Sequence, residues 1–128
     1  MIGYVMLGTN DLERATSFFD ALLQDIGGKK AMSGENETAW SFGESGFGGN
    51  EASFFVTKPF DKKQACVGNG TMVALRVPSA ETVEKLHGKA LELGAENEGN
   101  PAWQGENFFG AYFRDLDGNK LNFFYMKG

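Results

Sequence analysis

The sequence predicts an α+β chain in which a strand–helix–strand–strand–strand module, βαβββ, occurs twice. Three observations predict it: an amphipathic helix pattern in each half, short β-rich runs parted by glycine-rich turns, and a register between the halves. Placing Tyr4 on Met72, a shift of 68 residues, brings Val5 onto Val73, Leu7 onto Leu75, Asp11 onto Ser79, Ala15 onto Val83 and Phe18 onto Leu86. Strand, helix cap and helix face stay aligned, which is the mark of an internal duplication.

Each element has its own local reason. Residues 2–7 are apolar and strand-like. Asn10 followed by Glu13 makes a capping-box pattern, which predicts a helix start. Ala15, Phe18, Phe19, Leu22, Leu23 and Ile26 then recur at three- and four-residue steps, the signature of one buried helix face. Gly27-Gly28 ends it, because glycine readily takes the left-handed conformation of a helix C-terminus. Strands are predicted over residues 29–32, 38–42 and 52–57, separated by turns at 34–36 and 43–50.

The second half repeats the order. Residues 71–77 are rich in β-formers. Pro78-Ser79 opens a helix with Ser79 as N-cap and Glu81 and Glu84 in the first turns, where the helix dipole favours acids. Val83, Leu86, His87 and Ala90 share one face, with Leu93 beside it, and Gly94 stops the helix. A weak strand over 95–98, a loop through Pro101 and Trp103, and firm strands over 109–114 and 120–126 follow. The turn Asp115-Leu116-Asp117-Gly118-Asn119 joins the last two. The expected organisation is one domain over 1–128, with module 1 at 1–57, a linker at 58–70 carrying Pro59 and Gly68-Asn69-Gly70, and module 2 at 71–128.

Composition narrows the function classes. Twelve Phe, 2 Trp and 3 Tyr beside 18 Gly suggest short strands around a cavity in place of a helical bundle. The formal charge is −5, and the basic residues are scattered singly or in pairs, such as Lys29-Lys30 and Lys62-Lys63. Nucleic-acid binding needs clustered Lys and Arg, so it is not expected. No apolar run approaches the ~20 residues that span a bilayer. The single cysteine, Cys66, excludes an intrachain disulfide framework and a cysteine-rich zinc site. A cytoplasmic setting is the expectation.

With these elements in place, the sequence resembles the glyoxalase/bleomycin-resistance/dioxygenase (vicinal oxygen chelate, VOC) superfamily. The resemblance covers nearly the whole chain. It rests on Tyr4-Val5-Met6-Leu7, Asp11-Leu12-Glu13-Arg14-Ala15 and Phe18-Phe19 in the first half. In the second half it rests on residues 70–77 and, most specifically, on Ala111-Tyr112-Phe113-Arg114-Asp115-Leu116-Asp117-Gly118-Asn119-Lys120-Leu121. The resemblance implies paired modules whose curved mixed sheets curl into a cup, with helices covering the other side. The expected assembly is a homodimer, the alternative being a chain that closes its own two cups.

Alternation along the strands says which side chains share a face. Val5 and Leu7 suit a helix-covered side, leaving Tyr4 and Met6 opposite. Val73, Leu75 and Val77 suit the core, leaving Met72, Ala74 and Arg76. Leu121 and Phe123 suit the core, leaving Asn122 and Phe124, and Ser53, Phe55 and Thr57 share a side. Enzymes of the family hold a divalent ion with His and Glu, and by motif those positions fall at Tyr4, Phe55, Met72 and Asn122. Such ions want imidazole nitrogen and carboxylate oxygen. None of the four residues supplies either, so no metal or other cofactor is expected.

What remains is an apolar cup. Tyr4, Met6, Phe55, Met72 and Phe124, with Trp40, Trp103, Tyr112, Asn122 and Arg76, are the candidate ligand contacts; the alternative is that these side chains fill the cup as a second core. Other signals have plain structural readings. His87 packs a helix on a sheet, the Asp115–Asn119 stretch is a hairpin and not a calcium loop, 43–50 is a hairpin loop, Cys66 is an incidental thiol, and Arg76 serves a surface salt bridge unless it meets an anionic ligand. The expected function is binding of a small aromatic or mixed-polarity molecule. Two alternatives stay open. One is a metal-independent lyase or isomerase related to lactoylglutathione lyase, in which Tyr4 or Asn122 positions a carbonyl. The other is a non-catalytic interaction module.

Overall fold

The computed structural model describes all residues, 1–128, and the chain divides into two compact units, Met1–Val67 and Gly68–Gly128. The first carries β1 (Tyr4–Gly8), α1 (Leu12–Leu23), a 3-10 turn (Gln24–Ile26), β2 (Lys29–Ser33), β3 (Glu37–Ser41) and β4 (Ser53–Thr57). The second carries β5 (Val73–Arg76), α2 (Ala80–Glu92), β6 (Glu96–Trp103), β7 (Phe108–Arg114) and β8 (Lys120–Met126). Each is a four-stranded mixed sheet, ordered β1-β4-β3-β2 and β5-β8-β7-β6, with one parallel pair formed by its first and last strands. The α+β class and the doubled βαβββ order are as the sequence predicts.

In the first unit α1 covers one face of the sheet. Its buried side chains are Ala15, Phe18, Phe19, Leu22 and Leu23. They meet Phe54, Val56, Thr38 and Trp40, tied by the Phe19–Phe54 ring contact at 4.8 Å and by the Thr16–Thr38 hydroxyl pair at 2.9 Å. Burying each large apolar side chain stabilises by about 1.5–3 kcal/mol. The helix does not start as expected. Asp11, not Asn10, is the N-cap, its side chain accepting from the Arg14 N–H at 3.0 Å. Asn10 instead clamps the backbone of Ala65: Oδ1 accepts from the Ala65 N–H at 2.7 Å and Nδ2 donates to the Ala65 carbonyl at 3.2 Å. Residues 58–65 therefore run back over the first unit, an arrangement also held by the Lys58 N–H on the Asn36 carbonyl at 2.8 Å.

In the second unit α2 buries Val83, Leu86, His87 and Ala90 on the sheet, and Ser79 caps it by accepting from the Thr82 N–H at 3.1 Å. Phe109, Ala111, Phe113, Leu121 and Phe123 form the helix-covered face, with Phe113 and Phe123 stacked at 5.4 Å. β6 is longer than the sequence suggests and runs straight through Pro101 to Trp103. It is an edge strand with two register shifts against β7, and an edge tolerates the N–H that proline lacks.

Candidate functional site

The face of each sheet turned away from its helix carries the candidate residues. On the first sheet the register rows are Tyr4 with Ser53, Met6 with Phe55 and Ala39, and Gly8 with Thr57 and Glu37. Tyr4 and Phe55 rings lie 4.9 Å apart. A third ring completes the cluster: Phe47, from the glycine-rich loop between β3 and β4, stands 5.9 Å from Tyr4 and 5.5 Å from Phe55. Tyr4 is 52% exposed, Phe47 47% and Met6 44%, while Phe55 beneath them is 5% exposed. Sequence reasoning missed Phe47 because a loop has no alternation to read. A lone aromatic among glycines was the only signal. Beside the cluster, the Ser53 hydroxyl is buried without a hydrogen-bond partner.

On the second sheet Arg76 pairs in register with Phe124, Ala74 with Asn122, and Asn122 with Tyr112. Met72 stands exposed one residue before β5. Phe124 is stacked on Phe108 at 5.2 Å with the rings 7° from parallel. Phe108 is a second residue the sequence reading overlooked, although it alternates with Gly110 and Tyr112. Gly110 makes the stack feasible, because a Cβ there would stand 2.7 Å from the Phe108 ring. Tyr112 donates its hydroxyl to Gln104 Oε1 at 2.9 Å, with Lys120 Nζ 5.5 Å from its ring. Arg76 is exposed and has no ion pair, so the expected surface salt bridge is absent.

Three candidates are placed otherwise than expected. Trp40 faces α1, fully buried, its indole N–H donating to Asp20 Oδ1 at 3.0 Å. The run 38–41 is buried on both faces, so alternation of polarity could not assign its sides. Trp103 shares the helix-side face, in register with Phe109 and packed edge-on to it at 5.1 Å. Asn122 is 1% exposed, and its Nδ2 donates to the Ala111 and Phe123 carbonyls at 3.0 and 3.1 Å. That amide is held by backbone and is not offered to a ligand carbonyl.

The four positions that the resemblance assigns to metal ligands carry the wrong donors for one. Tyr4 and Phe55 are two rings in mutual contact, Met72 offers a soft thioether, and Asn122 is engaged as above. No group of three or more His, Cys, Asp or Glu side chains is placed to hold a metal ion. These residues do not fit a hard divalent cation. His87 lies behind the second sheet, 3% exposed, with Nε2 3.1 Å from both Asn97 Oδ1 and the Tyr112 carbonyl. Two acceptors at one nitrogen put the proton on Nε2, a packing role. The Asp115 carboxylate accepts from the Asp117 N–H, the Asn119 N–H and Asn119 Nδ2 inside its hairpin, where burial pushes its pKa up against those hydrogen bonds. No helix is long and apolar enough to cross a membrane.

No protein-family model matches the sequence, and no curated protein matches it. Solved structures do. A glyoxalase/bleomycin resistance protein from Albidiferax ferrireducens T118 superposes with a TM-score of 0.86 at 28% identity, over 98% of this chain and 98% of its own. A glyoxalase/bleomycin resistance protein/dioxygenase family enzyme from Burkholderia phytofirmans PsJN gives 0.75 at 12% identity, over 97% of each chain. Lactoylglutathione lyase from Agrobacterium tumefaciens gives 0.73 at 13% identity, over 98% of this chain and 92% of its own. By fold, the chain is a member of the glyoxalase/bleomycin-resistance/dioxygenase (VOC) superfamily. On the first sheet, the two positions that the resemblance assigns to metal ligands carry the aromatic rings of Tyr4 and Phe55.

Proposed function

We propose that the protein binds a small aromatic molecule on the helix-free face of its first sheet, without a metal ion. The observation that carries this reading is the half-exposed ring cluster of Tyr4, Phe47 and Phe55. Aromatic pairs contribute about 0.5–1.5 kcal/mol beyond the area they bury, and a planar ligand laid against the exposed sides of Tyr4 and Phe47 gains such contacts. Met6 beside them is flexible enough to follow an irregular outline. The Ser53 hydroxyl supplies a polar group at the edge of the cluster.

Intrinsic tryptophan emission is a poor reporter here, since Trp40 and Trp103 both lie on helix-side faces. The test is therefore titration with phenylnaphthylamine, an uncharged fluorophore. Saturable binding is expected, weakened about three- to tenfold by Tyr4→Ala and by Phe47→Ala, the free-energy range of one lost ring pair. Absence of saturable binding, or affinity indifferent to both substitutions, refutes the reading.

A further inference from the structure

The helix-free face of the first sheet does not end at the ring cluster. One register row beyond Met6 and Phe55, the side chains of Glu37 and Thr57 floor a recess of about 450 Å³ whose lining also includes Met6, Lys58, Phe60 and Lys62. A row of β-sheet advances about 6–7 Å along the strand for two residues, so recess and rings lie within one small molecule's reach. The volume falls in the range of ligand pockets, roughly 300–1,000 Å³.

Three features of this recess are unusual for bare surface. Phe60 is fully exposed at its edge. Lys62 is the only non-glycine residue with a positive φ, 65°, in a turn closed by its N–H on the Pro59 carbonyl at 3.0 Å. A left-handed conformation costs a side-chain-bearing residue roughly 1–2 kcal/mol, and glycine would avoid that cost. Finally, the recess is lined by two lysines, Lys58 and Lys62, and a single carboxylate, Glu37, and neither lysine is ion-paired, in a chain whose net charge is −5. The charge of the recess is opposite in sign to that of the molecule.

We infer that the recess receives an anionic group carried by the aromatic ligand, so that the ligand class is an aromatic acid: rings on Tyr4, Phe47 and Phe55, negative charge between Lys58 and Lys62. This rests on the aromatic-binding reading and deepens it. Each exposed lysine–anion contact contributes modestly, so the pair is expected to favour an anion about five- to tenfold over a neutral analogue.

Anilinonaphthalene sulfonate and phenylnaphthylamine share their rings and differ by one anionic group, so the ratio of their affinities isolates the recess. The full chain is expected to bind the sulfonate about five- to tenfold more tightly than the neutral probe at low salt. That preference should shrink in 1 M salt, where the screening length falls to about 3 Å. In the Lys58→Gln/Lys62→Gly variant the ratio should fall to near one. Glycine relieves the left-handed backbone, so Lys62→Gly alone should keep or raise the urea midpoint, which rules out loss of fold as the cause. An equal affinity for both probes in the parent protein, or a ratio unchanged in the double variant, overturns the inference while leaving the aromatic reading intact. If neither probe binds, the aromatic reading falls and the anionic recess falls with it.

Discussion

Replacing Trp40 by Phe should separate the load-carrying face of the first sheet from its binding face. Trp40 is completely buried, packed against Phe19 and Phe54 at ring separations of 6.2 Å, and its indole N–H is held by Asp20. Phenylalanine fills the space nearest Cβ and leaves out the distal part of the indole together with its N–H. A void of roughly 35 Å³ at about 24 cal/mol per Å³ costs near 1 kcal/mol. The lost hydrogen bond to a carboxylate adds about 1.5 kcal/mol, the lower end of its range, because Asp20 is half-buried and can be rehydrated. The total, about 2–3 kcal/mol, is a large share of the 5–15 kcal/mol typical of a folded chain. It should appear as a lower urea midpoint by far-UV circular dichroism with an unchanged slope. Phenylnaphthylamine affinity, measured well below that midpoint, should not move. A variant as stable as the parent, or one that folds but loses probe binding, refutes the placement of Trp40 behind the sheet.

Other perturbations give equally definite outcomes. His87→Leu takes a donor from the Tyr112 carbonyl, while Asn97 Oδ1 keeps the Gly99 N–H, and should lower stability by about 1–3 kcal/mol in urea, with no change in probe affinity. Gly110→Ala forces the Phe108 ring off Phe124 and should cost about 1–3 kcal/mol with a loss of near-ultraviolet dichroism; an unchanged spectrum contradicts the stack. Burial raises the Asp115 pKa above its ordinary 3.8, so the folded chain holds that proton to higher pH than the unfolded chain does. Its contribution is therefore most favourable below about pH 3.8 and is lost as pH rises through the raised folded value. Relative to Asp115→Asn, the parent should lose urea stability across that window; a relative gain there reverses the sign and refutes it.

Much of the fold was legible because it is written in local periods. The buried faces of α1 and α2 follow from 3.6-residue spacing, Ser79 from helix-cap chemistry, and the last hairpin from Asp115 and Gly118. Tyr4, Met6 and Phe55 were legible as one face from two-residue alternation, and the register of β1 on β4 places them together. What was not legible depended on partners remote in sequence. Asn10 and Asp11 are both good caps, and the choice fell to Asp11 because Ala65 takes the Asn10 amide. Pro101 looked like a loop residue until β6 proved to be an edge.

The sequence by itself determined the doubled βαβββ order and the helix-covered faces, because these depend on side-chain type and short-range spacing. Tertiary structure alone decided that Phe47 joins Tyr4 and Phe55, that Trp40 and Trp103 turn to the helix side, and that Lys58 and Lys62 line a recess beside Met6. Those facts require loops and strands to be brought together in space, and no period in the chain encodes where a loop comes to rest.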